Sequence, residues 1–568
     1  MQVRIRIPFR NRLSLSLADG QRQTEFAMPT ATTTDDPPSI PKRAALGGSS
    51  AVALGILLSR IVGFLRESVI AHYFGGVSVY ADALRSAIRI PNLLSNLFGE
   101  GVLSAAFVTV YAKLRAKGED QEAEHLAEAI FGILFLVCAV LVLLGITATP
   151  LFIDAIVPGF HPGDQRRILA IRLVRILFPA TGLLVMSAWC LGVLNSHRKF
   201  LLSYLAPVAL SLAVILVTVA AGQSVSNERL LADVAWGWVL GALSQFLVQL
   251  PKVLAILPGF RPRLDYQSEN VRTVLRNFGP VFLSRGVVQI SGYIDTMIAS
   301  ELTVGSLSVL VCGQFISILP VSLFSMSVAA AELPALSSAT GSEEEIATYL
   351  RGRLSAGLRR IAFFIIPSAV AFLLLGDIIA AAIYQSGKFH RSDVELVWAV
   401  LAGSAVGLLA TSLGRLYSSA FYALLDTKTP LRFATIRVVL TAVLGLICAL
   451  WLPQWLGLSQ KWGVAGLTAS AGIAGWVEFA LLRHALAERI GKTPLAPSFT
   501  IRLWSVAISA AALAYFIKLG VGVDHPRLLA CLALPIYGAL YFAGTAALGI
   551  DESRTTIESL TRRLGIEI

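Results

Sequence analysis

The chain has 568 residues, of which 55% are hydrophobic and only 14% are charged. This composition, with a mean hydropathy of +0.72, excludes a soluble globular protein and predicts an all-α polytopic membrane protein. The formal net charge of +12 is expected to lie in loops on one side of the membrane, so we expect no nucleic acid among the partners.

A helix needs about 20 mainly apolar residues to cross a bilayer, and stretches of that kind follow one another along most of the chain. We predict about fourteen transmembrane helices, near residues 50–74, 80–112, 127–150, 169–194, 201–221, 233–257, 275–302, 307–333, 357–384, 395–424, 431–452, 463–485, 500–519 and 527–549. Residues 1–47 lack an apolar signal-peptide core and are expected to form a disordered cytoplasmic tail. Met28 is an alternative start.

Lys and Arg residues concentrate in every second predicted loop. Because positively charged loops tend to stay on the cytoplasmic side, this pattern places both termini inside. The C-terminal segment 550–568 is then a second cytoplasmic tail.

The first two predicted spans contain an unusual concentration of charge. The charged residues are Arg60, Arg66, Glu67, Asp82, Arg85, Arg89 and Glu100. A charge at the bilayer centre costs roughly 2.5 to 3.5 kcal/mol on insertion scales, so these side chains are expected to share a polar cavity. The arginines outnumber the carboxylates, and the planar guanidinium suits phosphate oxygens. We therefore expect an anionic, phosphate-bearing ligand.

The sequence contains no HExxH, GxxxxGK[ST] or GxSxG motif, and its five cysteines are widely separated. It therefore offers no nucleotide-binding, zinc or nucleophile motif, and we expect a transporter without a cofactor rather than an enzyme. Uphill transport would then have to use an ion gradient, the membrane potential or removal of the product.

A short internal repeat predicts two lobes. The pentapeptide at 58–62 recurs with one change at 283–287, and an even number of predicted helices separates the copies. Such parallel repeats are related by an axis along the membrane normal and enclose a cavity. We expect an N-lobe at 48–258 and a C-lobe at 259–490, with Arg285 deep in its helix.

Spaced motifs identify a resemblance. The early ones are Ser59-Arg60, Arg66-Glu67, Phe74-Gly75, Asp82-Ala83, Ile90-Pro91-Asn92, Phe98 to Gly101 and Phe107-Val108. The later ones are Pro158-Gly159-Phe160, Leu194-Asn195, Phe200, Gln289-Ile290, Asp295-Thr296, Gly387-Lys388-Phe389, Asp393, Phe421-Tyr422-Ala423 and Asp426 to Pro430. In this order they resemble the MurJ (MviN) lipid II flippase family over roughly residues 48 to 490.

The resemblance implies a fold of the MOP superfamily, with two six-helix lobes around a central cavity and two C-terminal helices, at 491–549, that form a groove for a lipid tail. It implies alternating-access flipping of lipid II, an undecaprenyl-diphosphate-linked peptidoglycan precursor, from the inner to the outer leaflet. The expected location is the bacterial cytoplasmic membrane, where the partners would be the bilayer and cell-wall synthesis proteins.

By the same resemblance, Arg60 and Arg66 would contact the diphosphate. The other substrate-binding positions would be Ser59, Asp82, Arg89 and Asn92, and pairs that involve Glu67 or Glu100 would gate the cavity. Asp295 matches a carboxylate that helps to bind sodium in some members, so Asp295 and Thr441 are candidate ligands of a monovalent cation. A simple ion pair is the alternative for Asp295, as it is for Arg437.

The chain departs from the family at two positions, where Ser95 and Phe315 replace arginines. We expect Arg85 and Arg285 to compensate. The departures leave open a flippase for another polyprenyl-diphosphate-linked glycan, or a non-transporting scaffold of the same fold. A cation-extruding antiporter would need the opposite cavity charge, and a membrane glycosyltransferase would need a large extramembrane domain.

Overall fold

The computed structural model describes residues 42–99, 103–223, 225–338, 341–493, 495–521 and 525–564, and within them the regular secondary structure is entirely helical. Ser50–Ile568 forms one compact unit. The preceding unit, Met1–Ser49, includes in its described part only the first helical residues, 42–49. The predicted tail at 1–47 otherwise lies outside the described residues.

The first half of the chain forms eight helices, several of them longer than the predicted spans. They are α1 (Lys42–Phe74), α2 (Val79–Phe98), α3 (Thr109–Ala116), α4 (Asp120–Thr147), α5 (Thr149–Ile156), α6 (Gln165–Ser196), α7 (Phe200–Ala221) and α8 (Asn227–Ile256). A π-helical turn, Ser104–Val108, leads into α3. Helix α6 packs against α2, α4 and α8, and α7 packs against α8.

The second half forms twelve helices within the described residues. They are α9 (Glu269–Ser300), α10 (Ser306–Pro320), α11 (Ser327–Ser337), α12 (Glu343–Leu374), α13 (Gly376–Tyr384), α14 (Arg391–Ala423), α15 (Lys428–Leu446), α16 (Leu452–Trp455), α17 (Gly463–Ile490), α18 (Pro497–Val521), α19 (Pro526–Ala547) and α20 (Asp551–Leu564). Helix α14 packs against α10, α12 and α17, and α15 packs against α17. The predicted C-terminal tail is therefore largely helical.

Eleven helical segments in the described part of the chain are long and apolar enough to cross a membrane. Helices α1, α2 and α9 are not among them, and these three contain most of the charges that the sequence places inside the membrane. Their charges make α2 and α9 less apolar than the other long helices. The all-α, multi-pass fold is confirmed, whereas the count of fourteen spans stays a prediction.

Two predicted spans are interrupted in the structure. The span at 80–112 is broken because α2 ends at Phe98, and the span at 357–384 is divided between α12 and α13. Elsewhere, proline changes the helix locally: a π-helical turn, Val321–Met326, follows Pro320 directly. Proline has no N–H to donate, so the hydrogen-bond ladder must rearrange around it.

The C-terminal pair α18 and α19 packs on α12 and α13, and proline explains one detail of this contact. Pro367 lies inside α12 and leaves the carbonyl of Phe363, four residues earlier, without its helical donor. The hydroxyl of Tyr541 on α19 donates to that carbonyl at 2.7 Å, and Tyr537 donates to the carbonyl of Pro367 at 2.7 Å. Tyr541 therefore binds where the helix has lost a hydrogen bond.

The loop between α8 and α9 lies along α4. Glu128 accepts a hydrogen bond from the backbone N–H of Arg261 at 2.7 Å and pairs with the guanidinium of Arg263 at 2.9 Å. One turn away, His125 contacts Asp265 at 2.7 Å, and this hydrogen bond lowers the pKa of Asp265. A side chain at Gly132 would meet the carbonyl oxygen of Arg263 at 2.1 Å, so the loop needs a glycine there.

Candidate functional site

The centre of the predicted charge cluster is Glu67, whose residue surface is 4% exposed. Arg66 donates to its Oε1 at 2.9 Å, and Arg85, from α2, donates to its Oε2. One carboxylate therefore bonds two guanidinium groups from different helices. Charges that are buried in this way are tolerated because each is paired and hydrogen-bonded.

Arg66 also contacts the first-half helices behind it. Its guanidinium lies 4.6 Å from the centre of the Trp238 ring and donates to the hydroxyl of Ser211 at 3.3 Å. The indole face attracts a cation electrostatically. Arg66 is thereby fixed between α1, α7 and α8, with 16% of its side chain exposed.

Arg85 is buried and turned towards the second half of the chain. Apart from Glu67, the polar atom that it contacts is the sulfur of Cys312 at 3.9 Å. The prediction assigned it to the substrate in place of a missing arginine. Here the guanidinium of Arg85 forms an ion pair with Glu67, so in this conformation Arg85 has a charged partner inside the protein.

Arg89 connects α2 with α9 and α10. Its guanidinium donates to the carbonyl of Gly292 at 3.1 Å and to the amide oxygen of Gln314 at 3.0 Å. In return, Tyr293 donates to the backbone carbonyl of Arg89 at 2.7 Å. Sequence reasoning did not anticipate this contact.

The remaining predicted residues of α1 and α2 are more open. Arg60 and Asn92 are exposed and Ser59 is half-buried. At the two departures from the family pattern, Ser95 is half-buried, and the ring of Phe315 packs edge-on against Phe64 with centroids 4.6 Å apart. Phe315 therefore makes an apolar contact between α10 and α1.

Asp82 occupies a different environment from the one that the sequence suggested. It is 0% exposed, and its carboxylate accepts hydrogen bonds from the backbone N–H groups of Gly305 at 2.7 Å and Ser308 at 2.9 Å. These groups form the free N-terminus of α10, where a negative charge is favourable. In this conformation Asp82 caps a helix of the second half and does not line an open cavity.

A second buried aspartate makes the reciprocal contact. Asp393, on α14, accepts from the backbone N–H of Gly76 at 3.0 Å and from that of His390 at 3.2 Å. Asp82 and Asp393 thus each bind main-chain donors of the other half, and we call this pair with its donors the seam. Gly305, at φ +91°, belongs to the seam, because a side chain there would meet Cα of Val77 at 2.5 Å.

The structure also contains a cavity of about 650 Å³ whose wall comes from α9, α10, α11, α14, α15 and α17 and the π turn after α10. Its charged lining residues are Asp295, Arg415, Arg437 and Glu478. Arg437 donates to Glu478 at 3.1 Å, which confirms the ion pair considered for Arg437. Thr441 is buried and is not among the residues that line this cavity.

Two predicted site residues cannot be placed. Glu100 and the side chain of Arg285 lie outside the described residues. No group of three or more metal-ligating side chains occurs in the described part. The contacts of Asp393 and Gln314 escaped sequence reasoning because their partners lie in distant helices.

The geometry can be compared with known proteins. A family model described as "Lipid II flippase MurJ" matches residues 70–529. Lipid II flippase MurJ of Burkholderia cenocepacia is 31% identical over 504 residues, which cover 86% of this chain and 94% of that protein. A probable lipid II flippase MurJ of Rhizobium meliloti is 30% identical over 529 residues, with coverages of 90% and 94%.

Solved structures agree about the fold. A structure titled "Lipid II flippase MurJ, inward closed conformation" superposes with a TM-score of 0.72 at 23% identity and covers 88% of this chain and 99% of that one. An inward-facing multidrug resistance transporter of the MATE family, in the MOP superfamily, matches with a TM-score of 0.57 at 16% identity, covering 76% and 95%. At these identities the structures support the architecture alone. The family model and the relatives go further, and they show that the chain belongs to the MurJ family of lipid II flippases.

Proposed function

We propose that this chain flips lipid II from the inner to the outer leaflet of the bacterial cytoplasmic membrane by alternating access, with its termini in the cytoplasm. The observation that carries the proposal is the arginine-rich cluster on α1 and α2 in a chain of this family. Arg66 is bonded to Glu67 and Ser211 yet partly exposed, and Arg60 is exposed on the same helix. A diphosphate needs several charge-assisted donors in a site that can also release it.

The diphosphate site is proposed to consist of Arg60 and Arg66, with Ser59 and Asn92 as polar lining. Arg89 supports it from α2 through Gln314. Glu67 competes with the diphosphate for Arg66, so binding would loosen the contact between Arg66 and Glu67 and leave Arg85 as the main partner of Glu67. This exchange is our proposed gating role for Glu67, while Arg285 and Glu100 keep the roles predicted from the sequence.

Alternating access requires two lobes that move relative to one another, and we propose the boundaries 48–258 and 259–490 for them. In the present conformation the seam joins the two parts through Asp82 and Asp393. If α1 begins in the cytoplasm, the seam lies at the external end, and it must open for the head group to leave. The helices at 491–549 pack on α12 and α13 and are proposed to guide the lipid tail.

The drive is proposed to be the membrane potential. An inside-negative potential favours outward movement of negative charge by about 2.3 kcal/mol per charge per 100 mV. A monovalent cation at Asp295 and Thr441 remains the alternative, and cell-wall synthesis proteins remain proposed partners.

The test is complementation of a bacterium depleted of its own lipid II flippase, with external lipid II measured by an impermeant probe. The unmodified chain should restore growth and exposure. Arg66→Ala should abolish both, and Arg66→Lys should restore them only partly, because a point charge replaces a bidentate fork. Arg229→Ala, at an exposed arginine on α8, is the matched control. Full activity of Arg66→Ala would contradict the site.

A second candidate function is flipping of another polyprenyl-diphosphate-linked glycan. Phe315 favours it, because this position makes an aromatic contact with Phe64 where the family has a cation. Failure of the stably inserted chain in the lipid II assay, with activity on another lipid-linked glycan, would select this candidate. Failure on every lipid-linked diphosphate would indicate a non-transporting scaffold.

A further inference from the structure

The cavity of about 650 Å³ is separate from the proposed diphosphate site on α1 and α2. All of its wall residues belong to the second half of the chain. It is linked to the first half through Gln314, which lines the cavity and accepts a hydrogen bond from Arg89. A ligand held at α1 and α2 could therefore extend into this space.

The charges of the cavity fall into a satisfied pair and two unsatisfied groups. Arg437 and Glu478 bond one another at 3.1 Å. Arg415 is exposed towards the cavity and makes no side-chain hydrogen bond to a described residue. Asp295 has a buried Oδ1 without a hydrogen-bond partner among the described atoms. The cavity thus offers one cation and one anion without a hydrogen-bonded side-chain partner among the described residues.

The net charge of these four side chains indicates which kind of ligand the cavity can bind. Two arginines and two carboxylates make the cavity neutral, whereas a diphosphate requires a cationic surplus. A buried polar atom that lacks a partner costs free energy. A ligand that supplies both a carboxylate and an ammonium would satisfy Arg415 and Asp295 together without adding net charge.

The uncharged lining fits the same ligand. Ser404 donates to the carbonyl of Val400 at 2.8 Å, and Thr411 donates to that of Gly407 at 2.9 Å. Ser317 likewise donates within its own helix, to Gln314. These hydroxyl groups use their protons locally and keep oxygen lone pairs free. The wall is therefore rich in acceptors, which suits the N–H and O–H groups of a glycopeptide.

We propose that this cavity binds the zwitterionic peptide portion of the lipid-linked head group, with a ligand carboxylate on Arg415 and a ligand ammonium on Asp295. The proposal rests on the proposed function. It assigns a binding site to a part of the substrate that the arginines of α1 are not proposed to contact. The pair of Arg437 and Glu478 holds the cavity wall and keeps its charge balanced.

The test compares three lipid-linked diphosphates that differ only in the head group, binding to the full chain in nanodiscs. The first carries the sugar with its peptide, the second carries the sugar alone, and the third carries the peptide with its amine acetylated. The unmodified chain should bind the first at least about tenfold more tightly than the others, since a charge-assisted hydrogen bond contributes about 1.5 to 3 kcal/mol.

The variants then assign each contact. Arg415→Ala should lose affinity for the peptide-bearing lipid by about 10- to 100-fold and keep its affinity for the sugar-only lipid. Asp295→Asn should bind the free-amine and acetylated lipids equally. Arg66→Ala should weaken binding of all three lipids, and Arg229→Ala should match the unmodified chain.

Three results would overturn the proposal. Equal losses for all three lipids in Arg415→Ala would assign the cavity to the diphosphate. A sodium-dependent affinity that Asp295→Asn removes, with no effect of acetylation, would make Asp295 an ion ligand instead. Equal affinity of the unmodified chain for all three lipids would show that the peptide does not contribute to binding. Failure to bind any of them would instead refute the proposed function.

Discussion

At the scale of single residues, the members of the charge cluster differ in how many charged partners they have. Glu67 bonds both Arg66 and Arg85, whereas each arginine bonds only this carboxylate among the described acidic side chains. Removing the shared carboxylate leaves two guanidinium groups without their charged partner. Removing Arg85 leaves Glu67 still paired with Arg66.

Glu67→Gln is therefore expected to destabilise the fold by about 3 to 5 kcal/mol, the typical cost of breaking a buried pair. Arg85→Gln should cost clearly less. Thermal unfolding of the purified variants in detergent measures the difference, and Glu67→Asp provides the control that retains the charge. Equal or reversed losses would show that the carboxylate is not the centre of the cluster.

Sequence reasoning found the residue types of this cluster but not their partners. Charges in apolar helices predicted that Arg66, Glu67, Arg85 and Arg89 are held by a polar environment, and the structure shows the hydrogen bonds that hold them. Periodicity does not tell which helices meet across the chain. The division of roles between the partly exposed Arg66 and the buried Arg85 depends on that packing.

At the scale of helices, proline residues create sites for partner helices. The carbonyl of Phe363 lacks a helical donor because Pro367 follows four residues later, and Tyr541 supplies the missing hydrogen bond. This explains in part why α19 packs on this region of α12. The contact could not be read from the sequence, since a proline frees a carbonyl without indicating what will bind it.

Tyr541→Phe is expected to destabilise the fold by about 1 to 3 kcal/mol, because a buried carbonyl is left unsatisfied. In a Pro367→Ala background, residue 367 can donate its own N–H, so the same Tyr541→Phe change should cost less. A double-mutant cycle measured by thermal unfolding gives the coupling. Additive effects would show that the proline and the tyrosine act independently.

A loop between helices provides a second case. Asp426 accepts hydrogen bonds from the backbone of Lys428 and Thr429, both at 3.0 Å, and pairs with Arg489 at 2.6 Å. Burial acts to raise the pKa of Asp426, but its hydrogen bonds with Thr429 and the Arg489 pair outweigh it and lower the pKa to about 2. The carboxylate thus caps α15 in its charged form.

Asp426→Ala should cost about 0.5 to 2 kcal/mol, the usual range for a lost helix cap. Because the folded pKa is depressed below its unfolded value, the stabilisation is complete above the unfolded pKa and is lost as the pH falls towards 2. The difference in unfolding free energy between the variant and the unmodified chain should therefore narrow as the pH falls from 7 to 3. A constant difference at all pH values would contradict the assignment.

At the scale of the whole molecule, the seam joins the two halves of the chain. Asp82 and Asp393 are buried and each binds backbone donors from the other half. Opening the seam exposes both carboxylates and both sets of N–H groups. The seam therefore adds to the free energy that separates the closed conformation from an open one.

Asp82→Asn should shift the population towards the open seam, since charge-assisted hydrogen bonds are worth about 1.5 to 3 kcal/mol. The measurement uses Ser308→Cys, at a position that is 1% exposed, in a Cys531→Ser background that removes the exposed cysteine. An impermeant thiol reagent added outside should label the Asp82→Asn variant about tenfold faster or more. Unchanged labelling, with Arg229→Ala as the control, would show that the seam does not limit access.

The fold class follows from composition, and the family follows from spaced motifs, so both could be predicted. The interruption after Phe98 could not be predicted. An apolar stretch with glycines has the same sequence pattern whether its helix is continuous or interrupted. The seam was also beyond sequence reasoning. Asp82 and Asp393 were recognised as separate motif positions, but their partners are main-chain atoms that no residue type marks.

That last property has a consequence for how such a contact evolves. When one side chain binds another side chain, the two positions tend to change together. Correlated substitutions can then reveal the pair. Asp82 and Asp393 instead accept hydrogen bonds from peptide N–H groups, which every residue except proline provides. Positions 76, 305 and 308 can change within their steric limits without any compensating change at the aspartates. The seam is therefore a long-range contact that covariation between sequences would leave invisible.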